Sequence, residues 1–216
     1  MGFRVRFGQL LWIPLALLWL GTVVTGLGLL ARYDNAPGAA ARTRSEWPAG
    51  SRMVLDVAGP TLVMLAHPRC DCTRASMAEL AELMARAHVR PKAYVVLIKP
   101  GKVPGGWENT DLWHAAAEIP GVTVLRDDDG AEASRFGAET SGQVFLYAAG
   151  GHILFSGGVT GARGHAGDNA GRGAILAILN QDDSQRTASP VFGCPLFAPG
   201  EARRSDEMSS RVAQLY

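Results

Sequence analysis

The first strong pattern along the chain is continuous rather than periodic. Leu10 to Leu30 carries no charged residue and has about the length a helix needs to cross the hydrocarbon core of a bilayer. It exceeds the apolar region of a cleavable signal peptide, about 7–15 residues, so residues 10–31 are expected to be an uncleaved transmembrane anchor. The small residues around Ala36 to Ala41 keep cleavage open. Arg4 and Arg6 favour a cytoplasmic segment at residues 1–9, an asymmetry that Arg32, Arg42 and Arg44 on the other flank weaken. Trp12 and Trp19 fall inside the run and read as lipid-facing bulk.

Beyond it the pattern changes three times. Residues 32–51 are small and polar, with Pro37, Gly38, an alanine cluster and Pro48, and are expected to be a linker. Residues 52–181 then show the alternations of a packed domain. Thr61–Ala66 reads as a buried strand, and about Thr73–His88 as a helix with Met77, Leu80, Met84 and Ala87 on one face. Ala93–Ile98, entered through Pro91, reads as a second strand. A loop and short helix fill Pro100 to Gly121, with Asn109, Thr110 or Asp111 as its cap. Val122–Leu125 is expected to be a strand, Asp127–Gly130 a solvated turn and Ala131–Gly137 a brief helix. Val144–Ala148 and His152–Ser156 form a hairpin around Ala149-Gly150-Gly151. A last helix, capped by Asp168 or Asn169, runs to about Asn180. Residues 182–216 form a polar tail interrupted by an apolar island, Val191 to Phe197, which is expected to dock on the domain.

Charge excludes rather than identifies. A formal net charge of +1 over 216 residues offers no electrostatic footprint for a nucleic acid. The three cysteines change the picture, because Cys70 and Cys72 are one residue apart where the first strand gives way to the first helix of the domain. A helix N-terminus presents unpaired N–H groups and the positive end of a dipole, which favour thiolate over thiol, and Arg69 adds charge beside the pair. Two readings of chemistry follow. One is disulfide exchange, in which a disulfide between residues i and i+2 closes a small, strained ring. Cys194, within the docked island, is then a possible resolving or third thiol. The other is a soft metal site for Cu(I), with Cys70, Cys72, His67 and Cys194 as candidate donors.

Each candidate has a plainer explanation. Buried cysteines often serve as small hydrophobes, Cys194 above all. His67 suits hydrogen-bonded scaffold as well as tuning or ligation, and Pro68 suits a loop. Asp71 suits a solvated first turn favoured by the dipole. Trp107 and Trp113 read more readily as packing than as walls of a groove. Residues 127–129 lack the rest of a calcium loop, and Gly161–Gly167 lacks the ending of a phosphate loop and reads as a structural turn, in which Arg163 and His165 could still face a partner.

The order of elements, with the Cys70-Asp71-Cys72 motif at the first strand-to-helix junction, resembles that of membrane-anchored bacterial thioredoxin-like proteins, in particular the RedB-type group. The resemblance covers about Arg52 to Gln181. It implies an α/β thioredoxin-like fold, a central mixed sheet flanked by helices, preceded by one transmembrane helix. It also implies a thiol-disulfide oxidoreductase in a bacterial inner membrane, single pass, with its C-terminal domain in the periplasm. Client protein thiols or disulfides would be its partners and no cofactor is required. In proteins that this chain resembles the first cysteine of the motif is the exposed attacker, here Cys70, and the second, Cys72, resolves it. Ser141 and Gly142 would line the groove with His67, Pro68, Arg69 and Asp71. Two features depart from the pattern: Cys-Asp-Cys replaces Cys-x-x-Cys, and Gly142 stands where a cis proline is expected, which should leave the thiols less shielded. A non-catalytic interaction domain on the same scaffold is the remaining alternative.

Overall fold

The structure, a computed structural model, describes residues 7–182 and 186–197, with side chains from residue 12 onward. It divides into two compact units, Met1–Ala36 and Pro37–Tyr216. The first holds helix α1 (Phe7–Asp34), whose stretch Trp12–Asp34 has a mean hydropathy of 2.0 and none of it buried. Its apolar residues surround the axis rather than forming one stripe, and Trp12 and Trp19 are exposed, as a helix suited to lipid or a signal segment requires.

The second unit is built on a five-stranded sheet. In chain order its elements are β1 (Thr61–Ala66), α2 (Asp71–Arg86), β2 (Lys92–Lys99), α3 (Asp111–Ala117), β3 (Val122–Asp128), α4 (Ala131–Phe136), β4 (Gln143–Tyr147), β5 (Ile153–Gly157) and α5 (Ala170–Asn180). The strand order is β3-β2-β1-β4-β5. β1 pairs parallel with β2, and β2 with β3, while β4 runs antiparallel to both β1 and β5. This is an α/β thioredoxin-like fold, with a mixed sheet flanked by helices.

β1 lies at the centre of the sheet with every residue buried, which explains its unbroken apolar run. Its side chains alternate between two cores, as the pleat demands. Leu62 and Met64 join Met77, Leu80 and Leu83 of α2 and Ile175 and Leu179 of α5. Val63 and Leu65 face the opposite way, toward Ala133 and Phe136 of α4, Phe145 and Tyr147.

Several boundaries differ from the sequence expectations for identifiable reasons. α2 begins at Asp71, not Thr73, because Cys70 takes the N-cap position with extended φ/ψ and accepts the Thr73 N–H on its carbonyl. β3 continues to Asp128, so Asp127 is no solvated turn residue. It is fully buried and accepts the N–H groups of Glu132 and Ala133, which caps α4. Burial pushes its carboxyl pKa up, against those two bonds. The segment expected to be a free linker is laid on the domain from residue 37 onward. Arg42 N–H donates to Gly137 O and Trp47 N–H to Gly151 O, and the Trp47 ring packs edge-on against Phe136 and Tyr147, each centroid 5.2 Å away. Trp47 and Pro48 give this stretch enough apolar surface to be held down. The expected polar tail beyond residue 197 lies outside the described residues.

Candidate functional site

The site is assembled from three distant parts of the chain. The first is the turn between β1 and α2. His67 N–H donates to Ser141 Oγ at 2.8 Å, and Thr73 Oγ1 lies 2.8 Å from the same hydroxyl and donates to His67 O at 3.1 Å. Pro68 is buried, and its carbonyl accepts the Thr110 hydroxyl at 3.0 Å. These bonds fix the turn that delivers Cys70 to the N-terminus of α2.

The second part is the loop before β4. Gly142 has φ +89°, which a proline ring cannot adopt, and among the described residues no peptide bond is cis. Its N–H donates to Leu65 O, and a Cβ at this position would meet Ser76 Oγ at 2.8 Å. Gly142 therefore faces α2 rather than an open groove, and the reduced shielding expected from the missing proline does not arise there.

The third part supplies the shield. The apolar island docks as a strap along the sheet edge and over the site. Ser156 N–H donates to Thr187 O, and Gly38 N–H to Val191 O. Thr140 and Pro195 then form an antiparallel bridge, with Ser141 N–H donating to Cys194 O at 2.8 Å and Leu196 N–H to Glu139 O at 2.9 Å. Leu196 is buried in the core that holds Phe136, and burying such a side chain contributes about 1.5–3 kcal/mol. The Arg163 guanidinium donates to Gly193 O. The loop carrying Arg163 leads into a buried network in which Glu79 of α2 accepts Gly167 N–H, Asn169 Nδ2 and Arg172 Nη1.

The result brings three sulfurs together. The Sγ atoms of Cys70, Cys72 and Cys194 all lie within 4.8 Å of one another, and Cys70 Sγ is 2.6 Å from Cys194 Sγ. All three are free thiols. Cys70 is not the exposed cysteine that the resemblance implied: it is 2 % exposed, because the strap covers it. Cys72 and Cys194 are the half-exposed members. His67 does not join the cluster. Its Nδ1 accepts the Arg69 N–H at 3.1 Å and its ring meets Trp107 edge-on at 5.3 Å, while burial and the Arg69 charge lower its pKa. Arg69 sits 4.9 Å over Trp107. Trp107 thus borders the site, whereas Trp113 packs against the core. Asp71 is exposed in the first turn of α2.

Electrostatics separate the thiols. Burial pushes Cys70 up, but hydrogen bonds from the Cys194 thiol, the backbone of Cys194 and Cys72 and the Thr73 hydroxyl outweigh it and leave the pKa below its ordinary value. Burial pushes Cys72 up, reinforced by the Cys70 charge and opposed by Arg163. Cys194 is pushed up to about 12 by burial, by its bond to Cys70 and by the charges of Cys70 and Cys72. The shifts run in opposite directions, so Cys70 is the more acidic thiol of the pair and Cys194 the less acidic.

No protein-family model and no curated protein sequence matches the chain. Solved structures do. An uncharacterized conserved protein from Geobacillus kaustophilus superposes with a TM-score of 0.53 at 17 % identity, covering 77 % of this chain and 94 % of that one. The likeness is one of fold. A hypothetical protein from Sinorhizobium meliloti matches with a TM-score of 0.48 at 22 % identity, over 74 % of this chain and 93 % of its own. A secreted Mycobacterium tuberculosis disulfide oxidoreductase, homologous to E. coli DsbE, has a TM-score of 0.35 at 17 % identity, over 46 % and 68 %.

Three participants were hidden from sequence reasoning. Gly193 approaches the Ser141 carbonyl so closely that a Cβ would collide with it. Thr73 has no motif to mark it. Arg163 stood in what read as a structural turn, and the one available signal was a lone cation in a glycine-rich loop. Cys194 was legible as a possible third thiol within an island that had to dock, but the place where it docks was not.

Proposed function

We propose that the chain is a membrane-tethered thiol-disulfide oxidoreductase acting on protein thiols or disulfides outside the cytoplasm, with Cys70 as nucleophile and Cys194, rather than Cys72, as its intramolecular partner. The observation that carries this reading is the contact between the Cys70 and Cys194 sulfurs at 2.6 Å, in surroundings that favour the Cys70 thiolate. The Cys70 thiolate attacks one sulfur of a client disulfide, forming a mixed disulfide and releasing the other client sulfur as a thiolate that takes a proton. Cys194, deprotonated in turn, attacks Cys70 Sγ, which closes a Cys70–Cys194 disulfide and frees the second client thiol. Each exchange is stoichiometric and reversible, and repeated reduction draws electrons from a second dithiol. Because Cys70 is covered, a client reaches it only when Cys194 swings aside.

Helix α1 is read as a single-pass anchor in a bacterial inner membrane, with the domain in the periplasm, where disulfides persist. Its length and apolar surface support this. Recovery of the intact chain in the soluble fraction would refute it.

The deciding experiment uses a model protein disulfide. Cys70→Ser should abolish exchange, Cys194→Ser should accumulate the mixed disulfide, and Cys72→Ser should retain most of the activity. Exchange by Cys70→Ser at the wild-type rate would overturn the assignment.

A further inference from the structure

We propose that the three reduced thiols form a binding site for a single soft, monovalent d10 cation, Cu(I), held by the Sγ atoms of Cys70, Cys72 and Cys194. This inference stands apart from the exchange reading, since it needs no client and no electron transfer.

The donor set argues for the metal. Three sulfur atoms lie within 4.8 Å of one another, and among the described residues no imidazole nitrogen or carboxylate oxygen joins that cluster. Three thiolates without nitrogen or oxygen donors suit Cu(I). A structural Zn(II) wants four ligands, and neither ring nitrogen of His67, the natural fourth, lies within the cluster. Arg163 sits against the Gly193 carbonyl beside the two half-exposed thiols, so the negative charge of a tris-thiolate complex has a cation close at hand. The N-terminus of α2 adds its positive dipole end.

The scaffold supports the arrangement. Cys70 and Cys72 come from one helix start, and Cys194 is brought in by a strap tied on both sides, at Val191 and at Leu196. With a metal–sulfur distance of about 2.3 Å, as for zinc thiolates, a trigonal site needs sulfurs roughly 4 Å apart. The outer limit of the cluster accommodates that separation, while the Cys70–Cys194 contact at 2.6 Å must open for the metal to enter. Binding exchanges thiol protons for the metal: the thiols that still carry protons release them to solvent, and no sulfur changes oxidation state. A Cys70–Cys194 disulfide removes two of the three donors, so the oxidised protein must lose the site.

The test uses the full chain in detergent, reduced and handled without oxygen, titrated with Cu(I) against a chromogenic Cu(I) chelator. One equivalent per chain should be withheld from the chelator, Cys72→Ser and Cys194→Ser should each weaken retention at least tenfold, and the oxidised protein should retain none. A measurement on the unaltered chain guards against misfolded variants: one equivalent of Cu(I) should protect all three cysteines from alkylation. Retention no better than that of the protein with all three cysteines replaced would overturn the proposal. So would undiminished binding by Cys194→Ser, unprotected Cys194 in the alkylation experiment, or a preference for Zn(II) over Cu(I). Loss of disulfide exchange in the same samples would bear on the exchange reading alone.

Discussion

Gly193 packs directly on the backbone carbonyl of Ser141, leaving no room for a Cβ. The closeness is what lets the strap follow the edge of the Thr140 loop with Cys194 turned onto Cys70. Backbone, not a yielding side chain, occupies the space, so the strap itself must shift if a methyl group is added.

Gly193→Ala is therefore expected to unseat the centre of the strap while leaving every thiol in the protein. Overpacking of this kind costs about 1–3 kcal/mol. Cys70, now 2 % exposed, should label with a maleimide at least tenfold faster than in the parent protein. An unchanged labelling rate would mean that the strap is not what covers it.

Cys194→Ala tests the electrostatics. The Cys194 thiol is the foremost group lowering the Cys70 pKa, so its removal should move the midpoint of Cys70 alkylation upward in pH. The sign for stability follows from the direction of the shift. A thiol whose folded pKa lies below its ordinary value of 9.0 adds stability that is absent below the folded pKa and complete above the unfolded one. Cys194 acts oppositely: with its pKa raised to about 12, its contribution is complete below 9.0 and is lost as pH climbs toward 12. Unfolding of Cys194→Ala followed from pH 7 to 11 should show both dependences reduced. A midpoint for Cys70 that stays where it was would remove Cys194 as its stabilising donor.

Glu79→Ala addresses the support under the site. The carboxylate is buried and accepts Arg172 Nη1 and Gly167 N–H, each at 2.6 Å, and Asn169 Nδ2 at 2.9 Å. Removing one partner of a buried ion pair strands the other, a loss of roughly 3–5 kcal/mol. Denaturant unfolding should register it, and the Arg163 loop should become more susceptible to proteolysis. A loss below about 1 kcal/mol would place the network among ordinary surface pairs.

How much of this was legible depended on whether a feature is local. The buried run of β1, the amphipathic spacing of α2, the Gly150-Gly151 hairpin and the Asn169 cap are properties of neighbouring residues, and each element lies within about two residues of where its pattern puts it. Cys70 and Cys72 could be recognised because a strand-to-helix junction has its own electrostatics. Cys194 could not be placed, since nothing near it specifies Ser141 as the partner of its backbone. The segment from Pro37 to Gly50 misled for the same reason: its composition is that of a linker, and only the positions of Phe136 and Tyr147 make Trp47 an anchor. Asp127 looked solvated until the helix that it caps was in place.

Cys70 and Cys194 are separated by 124 positions in the chain, and this separation sets a timetable. At synthesis rates of about 5–20 residues per second, the first two thiols emerge roughly 6–25 s before the third. During that interval the nascent chain carries Cys70 and Cys72 without the segment that will cover them, open to whatever oxidant or stray thiol it meets. Only when the strap arrives is the centre closed, so the covering of Cys70 trails its synthesis by that interval.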